Sequence, residues 1–249
     1  MSTTHAIDPA TASETGSPGM RWFIHWLVGG WRLFLRAPVR LFAMMVLLFA
    51  VEILVQVGVP SVGIPVSKWV LGLLGGVCWL ALDRLDIDGR LRLFDAARRV
   101  GRRWPALAGL ALISLFVYLL QVAVGWLVLG PGAIDLLVFA SPDAGVAASS
   151  WELGLIFSAG VPFSTLLMFA PPMLLIEGMS EGRSVVASVR LVLRHAVPMG
   201  LLALLTMILV FLAPATFLLP VLLTGPWLLC VGLVAFRDIA RQSREALWR

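Results

Sequence analysis

WRLFLRAPVRLFAMMVLLFAV, Trp31 to Val51, sets Arg32 and Arg36 among aromatic and aliphatic residues, turns at Pro38 and, after Arg40, runs apolar. From Leu41 no charge appears until Glu52. An apolar run of about 20 residues is what an α-helix needs to cross roughly 30 Å of hydrocarbon. The arginines just before it mark the side from which the crossing starts. If such runs recur, the chain is a membrane bundle; if this one stands alone, it is an anchor or a buried core helix.

They recur. The chain has 249 residues, of which 60% are hydrophobic and 13% charged, with a mean hydropathy of +0.96. A soluble domain carries about 25% charge. Runs qualifying as spans lie near 39–58, 63–82, 105–129, 152–176, 197–214 and 216–236. They are continuously apolar, whereas an outer-membrane barrel alternates polarity over short segments. The expected fold is all-α: a polytopic bundle of about six transmembrane helices. Pro214 and Pro220 flank the last junction and the fifth run is short, so a re-entrant hairpin over 197–236 stays open as the alternative to two spans. The isoelectric point near 10.5 suggests nucleic acid, but the apolar content leaves too little polar surface for a soluble nucleic-acid binder.

Orientation follows from the basic residues. Every arginine falls before or at the very start of the first run, between the second and third, between the fourth and fifth, or after the sixth; the single lysine, Lys68, falls on the other side. This places the chain in a bacterial inner membrane with both termini cytoplasmic. MSTTHAIDPATASETGSPGM, residues 1–20, lacks the basic start and apolar core of a signal peptide and reads as a disordered tail. Residues 21–237 form one membrane domain, and 238–249 a basic cytoplasmic tail. GPGAIDLLVFASPDAGVAASSW, 130–151, reads as a plain connecting loop, with a brief interfacial helix at AIDLLVFA as the alternative. Cys78 and Cys230 fall inside apolar runs and read as free buried thiols.

The arginines before the first span are one copy of a pattern. His25, Arg32 and Arg36 are spaced by seven and four, with Pro38 following; Arg92, Arg99 and Arg103 repeat the spacing before Pro105; Arg183, Arg190 and Arg194 repeat it before Pro198. Such spacing puts three basic groups on one helical face. Proline is favoured in a helix's first turn and marks where one helix stops and the next begins. The expectation is a threefold parallel repeat of interfacial helix, span, loop and span, with units of about 21–87, 88–181 and 182–237. In the first copy Trp22, Phe23, Trp26, Leu27, Trp31 and Phe34 surround the basic stripe, as in a helix lying at a headgroup boundary.

FAPPMLLIEGMSEGRSVVASVRLVLRH, Phe169 to His195, carries a resemblance. With Pro171, Pro172, Glu177, Gly178, Ser188, Arg190 and Arg194, it resembles a family of uncharacterised bacterial six-span inner-membrane proteins. These are related to the membrane domain attached to some glycerophosphodiester phosphodiesterases. GGWRLFLRAP, Gly29 to Pro38, resembles the start of that group, and the likeness covers about 25–237. It implies an architecture; the phosphodiesterase catalytic domain is absent here and its activity does not carry over.

Glu52 is the one acid well inside a span, about 18 Å along the helix from Arg40. Ionisable groups at such depth are functional by default. Lys68 lies as far after Pro60 as Glu52 lies before it, so a hairpin would bring them together. A structural ion pair is the preferred reading; a substrate or proton site is the sharper one. Gln56, one turn above Glu52, and Gln121 with Tyr118 line a polar cavity or, as preferred, make interhelical hydrogen bonds. Gly72 and Gly76 have helix-contact spacing, and Pro171 and Pro172 mark a kink. Asp83, Asp86, Asp88 and Asp95 among seven arginines read as a solvated charged turn; the neighbouring cations oppose a metal.

His5, His25 and His195 have no nucleophile and acid arranged with them, and no phosphate loop or His-Glu-x-x-His occurs. The expectation is a non-enzymatic protein without cofactor, metal or nucleic-acid partner. Arg32, Arg36, Arg99, Arg103, Arg190 and Arg194 are expected to bind anionic membrane lipids or a protein partner at the cytoplasmic face. The alternative is a transporter or permease for a small or amphipathic substrate, with Glu52, Lys68 and Gln56 as its intramembrane site.

Overall fold

The computed structural model of the protein describes residues 18–59, 61–139 and 147–247. The described residues are helical, with no strand among them. The helices are α1 (Pro18–Phe34), α2 (Pro38–Gly58), α3 (Gly63–Asp88), α4 (Leu93–Arg102), α5 (Trp104–Leu129), α6 (Gly132–Leu137), α7 (Ser150–Ser158), α8 (Val161–Leu167), α9 (Ala170–Leu175), α10 (Glu181–Arg194), α11 (Ala196–Leu212) and α12 (Leu219–Leu247).

Five stretches are long and apolar enough to cross a membrane: α2, α3, α5, the run Ser150–Leu175 made by α7, α8 and α9, and Leu219–Gln242 of α12. The sixth run is α11, 17 residues long, which meets α10 at a bend of 99°. Its far end reaches the start of the fourth stretch: Phe211 lies against Gly154, and its ring against that of Trp151, centroids 5.6 Å apart. Large apolar side chains cover the outside, including Leu54 (70% exposed) and Val57 (78%) on α2 and Leu127 (75%) on α5. A soluble surface does not carry such a belt; lipid is the solvent that suits it.

The prolines sit where first-turn geometry wants them. Pro38 opens α2 and Pro105 stands in the first turn of α5. Arg103 is both the last cap of α4 and the first cap of α5, and His195 does the same between α10 and α11. Pro162, Pro171 and Pro172 fall at the starts of α8 and α9, so the fourth stretch is broken twice, where a single kink was expected. The second break is repaired from outside. Ser188 on α10 donates its hydroxyl to the Leu166 carbonyl at 2.7 Å and accepts from the Phe169 amide at 3.1 Å. Backbone groups freed inside a bilayer need such partners.

Several expectations change. α1 begins at Pro18 and α12 continues to Leu247, so helix extends into both segments read as tails; residues 1–17 lie outside the described residues. The loop after α5 contains the short helix α6, whose last turn is held by the Tyr118 hydroxyl donating to the Leu137 carbonyl at 2.8 Å. Pro60, at the centre of the hairpin symmetry, also lies outside the described residues. The largest correction concerns α1, whose apolar face meets protein. Trp26 is fully buried, Gly29 and Gly30 abut Val234 and Val231 of α12, and the Trp227 indole donates to the Leu27 carbonyl at 3.2 Å. Only glycine admits that approach, since a Cβ at position 30 would meet the Val231 backbone.

The main core therefore sits at the arginine-bearing end. Trp26, Leu41, Leu82, Leu85, Phe169, Met199, Phe236 and Ile239 gather there, joining α1, α2, α3, α9, α11 and α12. A smaller cluster of Ala133, Leu137 and Ile156 closes the other end. Between α3 and α5, Gly72 meets Ala111 and Gly76 meets Leu107, and the Trp69 indole donates to the Ala108 carbonyl at 3.2 Å.

Candidate functional site

Two polar constellations stand out, one in the membrane and one at the arginine-bearing end. In the first, the α2–α3 hairpin sets Glu52 beside Lys68, whose ammonium donates to Glu52 Oε1. Gln56, one turn on, donates Nε2 to the same Oε1 at 3.3 Å and to Ser67 Oγ at 3.1 Å. Ser67, fully buried, donates its hydroxyl to the Ile64 carbonyl at 2.8 Å. The Glu52 side chain is 13% exposed and that of Lys68 38%. Both Gln56 Nε2 and the Lys68 ammonium converge on Glu52 Oε1, so the carboxylate meets an opposite charge at short range. That is how a low-dielectric setting holds an ion pair. Gln121 is likewise engaged, donating to the Phe157 carbonyl at 2.8 Å.

The second constellation was not legible as a site. Asp83 and Asp86, expected in a solvated turn, are on the last turns of α3, and their side chains are 14% and 25% exposed. Arg237 of α12 spans both: it donates to Asp83 Oδ1 at 2.8 Å and to Asp86 Oδ2. Arg36, from the α1–α2 junction, donates NH1 to Asp86 Oδ1 at 3.1 Å and to the Asp86 carbonyl at 3.2 Å. Acids at a helix C-terminus oppose the dipole; here two guanidiniums meet the acids, and Arg36 also takes the Asp86 carbonyl, one of those left unpaired by the helix end. Beside it, Asp238 of α12 accepts from the Trp26 indole at 3.1 Å and lies 3.3 Å from His25 Nε2. Arg36 thus spends its charge on protein, and His25 turns its ring to the Asp238 carboxylate. Arg84–Asp88 and Arg92–Asp95 are local pairs at 3.4 and 3.7 Å.

The remaining arginines divide. Arg103 donates NH1 to the Leu174 carbonyl at 2.9 Å, capping the end of α9. Arg32, Arg99, Arg190 and Arg194 are exposed and meet no acid among the described residues. Arg32 lies one turn before Arg36 of the α3–α12 knot, and α10, which carries Arg190 and Arg194, ends at His195, whose ring reaches Gln242 of α12. Arg183 and Arg190 line an open groove of about 630 Å³ along α10, with Val186 and Ala187 between them. Among the described residues no group of acidic, histidine and cysteine side chains is arranged to hold a metal.

Fold and polar groups together define the class: a multi-pass helical membrane protein with a tied, arginine-rich end. No family model, curated protein or solved structure matches the chain.

Proposed function

We propose that the chain is a six-crossing protein of the bacterial inner membrane, with both termini in the cytoplasm, whose basic helices seat its inner end on anionic lipid headgroups. The observation that carries this reading is the division of the arginines: Arg36 and Arg237 close the fold, while Arg32, Arg99, Arg190 and Arg194 stay exposed at the same end. An arginine near an anionic leaflet contributes about 1 kcal/mol, and its stem can lie along apolar surface while the head reaches phosphate. The role is architectural and non-enzymatic. The three units of basic helix, short junction, first-turn proline and span descend from one repeated block, and the third turns by 99° between α10 and α11. Kinship with the six-span family named above fits Ser188, which staples the broken fourth span. Transport through Glu52 is disfavoured, because its carboxylate is already matched by Lys68 and Gln56.

The test is reconstitution of the full chain in nanodiscs of phosphatidylcholine with and without anionic lipid, comparing wild type with a variant carrying Arg32→Gln, Arg190→Gln and Arg194→Gln. Anionic lipid should raise the unfolding temperature of wild type and raise that of the triple variant much less. Equal stability of both proteins in both lipids would overturn the reading.

A further inference from the structure

Between the α4–α5 junction and the loop after α9 lies a cleft of about 260 Å³. Arg99, Arg102 and Arg103 border it, and Leu80, Leu175 and Ile176 wall it. We infer that this cleft is a specific site for a phosphate group, occupied in the membrane by the headgroup of an anionic phospholipid. The inference rests on the lipid-seating reading and sharpens it, from a diffuse basic face to one bound headgroup.

Three features separate the cleft from the other basic surfaces. First, its guanidiniums come from within one turn of chain at the end of α4, so they converge on one volume. Second, one of them is held in place. Arg103 NH1 is fixed by the Leu174 carbonyl, and both terminal nitrogens lie beside Gly178, which takes a left-handed φ of +74° as the chain leaves α9. A guanidinium anchored through one N–H keeps others for a ligand, and its planar fork suits phosphate oxygens. Third, the charge is unbalanced. Glu177 is the one acid at the rim, so three cations exceed it by two, the surplus that a phosphate answers. At roughly 30 Å³ per water the volume equals about nine waters, enough for a phosphate and its ester glycerol. Leu80, Leu175 and Ile176 then face the start of the acyl chains.

The delipidated full chain, in neutral detergent, is titrated with phosphatidate and read by native mass spectrometry. Oleate serves as an anionic amphiphile without phosphate, and inorganic phosphate as the soluble source. Wild type should hold one phosphatidate tightly per chain. Arg99→Gln with Arg102→Gln should weaken that lipid by about tenfold or more, as expected for lost charge-assisted bonds, and Arg99→Lys with Arg102→Lys should restore part of it. Both positions are exposed, so the fold should hold, and an unchanged unfolding temperature checks it; Arg103 is left intact because it caps α9. Arg32→Gln with Arg190→Gln should lower only the number of loosely held lipids. Displacement of phosphatidate by millimolar inorganic phosphate would support the phosphate chemistry and assign it to a soluble source. Oleate binding as well as phosphatidate would overturn phosphate recognition. Equal losses in the two double variants would overturn the cleft while leaving the seating reading standing; no preference for anionic lipid in any protein would overturn both.

Discussion

Glu52 shows how one residue can look like a mechanism and act as a fastening. Its position inside an apolar run invites a coupling role, yet the hairpin delivers Lys68 to its carboxylate and Gln56 to the same oxygen. An ion pair of this kind is costly to break and far less costly to remove, because the penalty lies in the stranded charge. Glu52→Leu alone should therefore destabilise the protein by roughly 3 kcal/mol, toward the low end for a buried pair because Lys68 keeps partial exposure. Glu52→Leu combined with Lys68→Leu should recover most of the loss. Reversible unfolding in mixed micelles measures both. A double variant as unstable as the single one would mean the two residues do not act as a pair. By contrast, the exposed Arg84–Asp88 pair, four residues apart on one helix, contributes at most about 0.5 kcal/mol. The difference between these pairs is one of solvent and not of distance along the chain.

At the scale of helices, the spans were legible because a crossing is encoded in one dimension: a continuous apolar run of sufficient length needs no partner to be recognised. The junctions were legible for a similar reason, since Pro38 and Pro105 act within a single turn. What lay hidden depends on two distant pieces of chain. The apolar side of α1 has the same pattern whether it meets lipid or α12, and the pairing of Arg237 with Asp86 joins residues 151 positions apart. The signal available for α1 was Gly29–Gly30, a small-residue pair on an otherwise bulky aromatic helix. Likewise Asp83 and Asp86, three apart, share a helical face once α3 is extended to Asp88. The α1 seat makes a direct test. Gly30→Ala puts a Cβ into the Val231 backbone and should cost about 1–3 kcal/mol, as overpacking does. Gly101→Ala, on α4 with nothing near its Cβ position, should be neutral or stabilise by up to about 1 kcal/mol. Thermal unfolding of the two variants side by side would show the contrast. A neutral Gly30→Ala would mean that α1 is not docked on α12.

The whole molecule is packed unevenly, and the unevenness follows its two solvents. At the arginine-bearing end α1, α3 and α12 are bound by Arg36, Arg237 and a core built on Trp26 and Phe236. Toward the opposite end the packing thins: the buried residues of α2, Leu41, Met44 and Met45, all lie in its first half, and Ile53, Leu54 and Val57 beyond them are exposed. An end loosely packed against itself leaves lipid to fill the space, while the tied, arginine-bearing end must hold its shape against water. On the proposed orientation the turn between α11 and α12 lies at the outer surface, because α11 leaves the tied end at His195 and carries Phe211 up to Trp151. The turn presents Phe217, 92% exposed with a left-handed φ of 51°. If α11 and α12 are both crossings, a cysteine at Phe217→Cys should react with a membrane-impermeant maleimide on intact cells. Cysteines at Arg99→Cys and Arg190→Cys should react only after the membrane is opened. The native thiols add little background, since Cys78 and Cys230 are buried. Were α11 and α12 a hairpin returning within the bilayer, the cysteine at 217 would stay unlabelled from outside, and the outer end of the bundle would have to be closed by α5 to α7 alone.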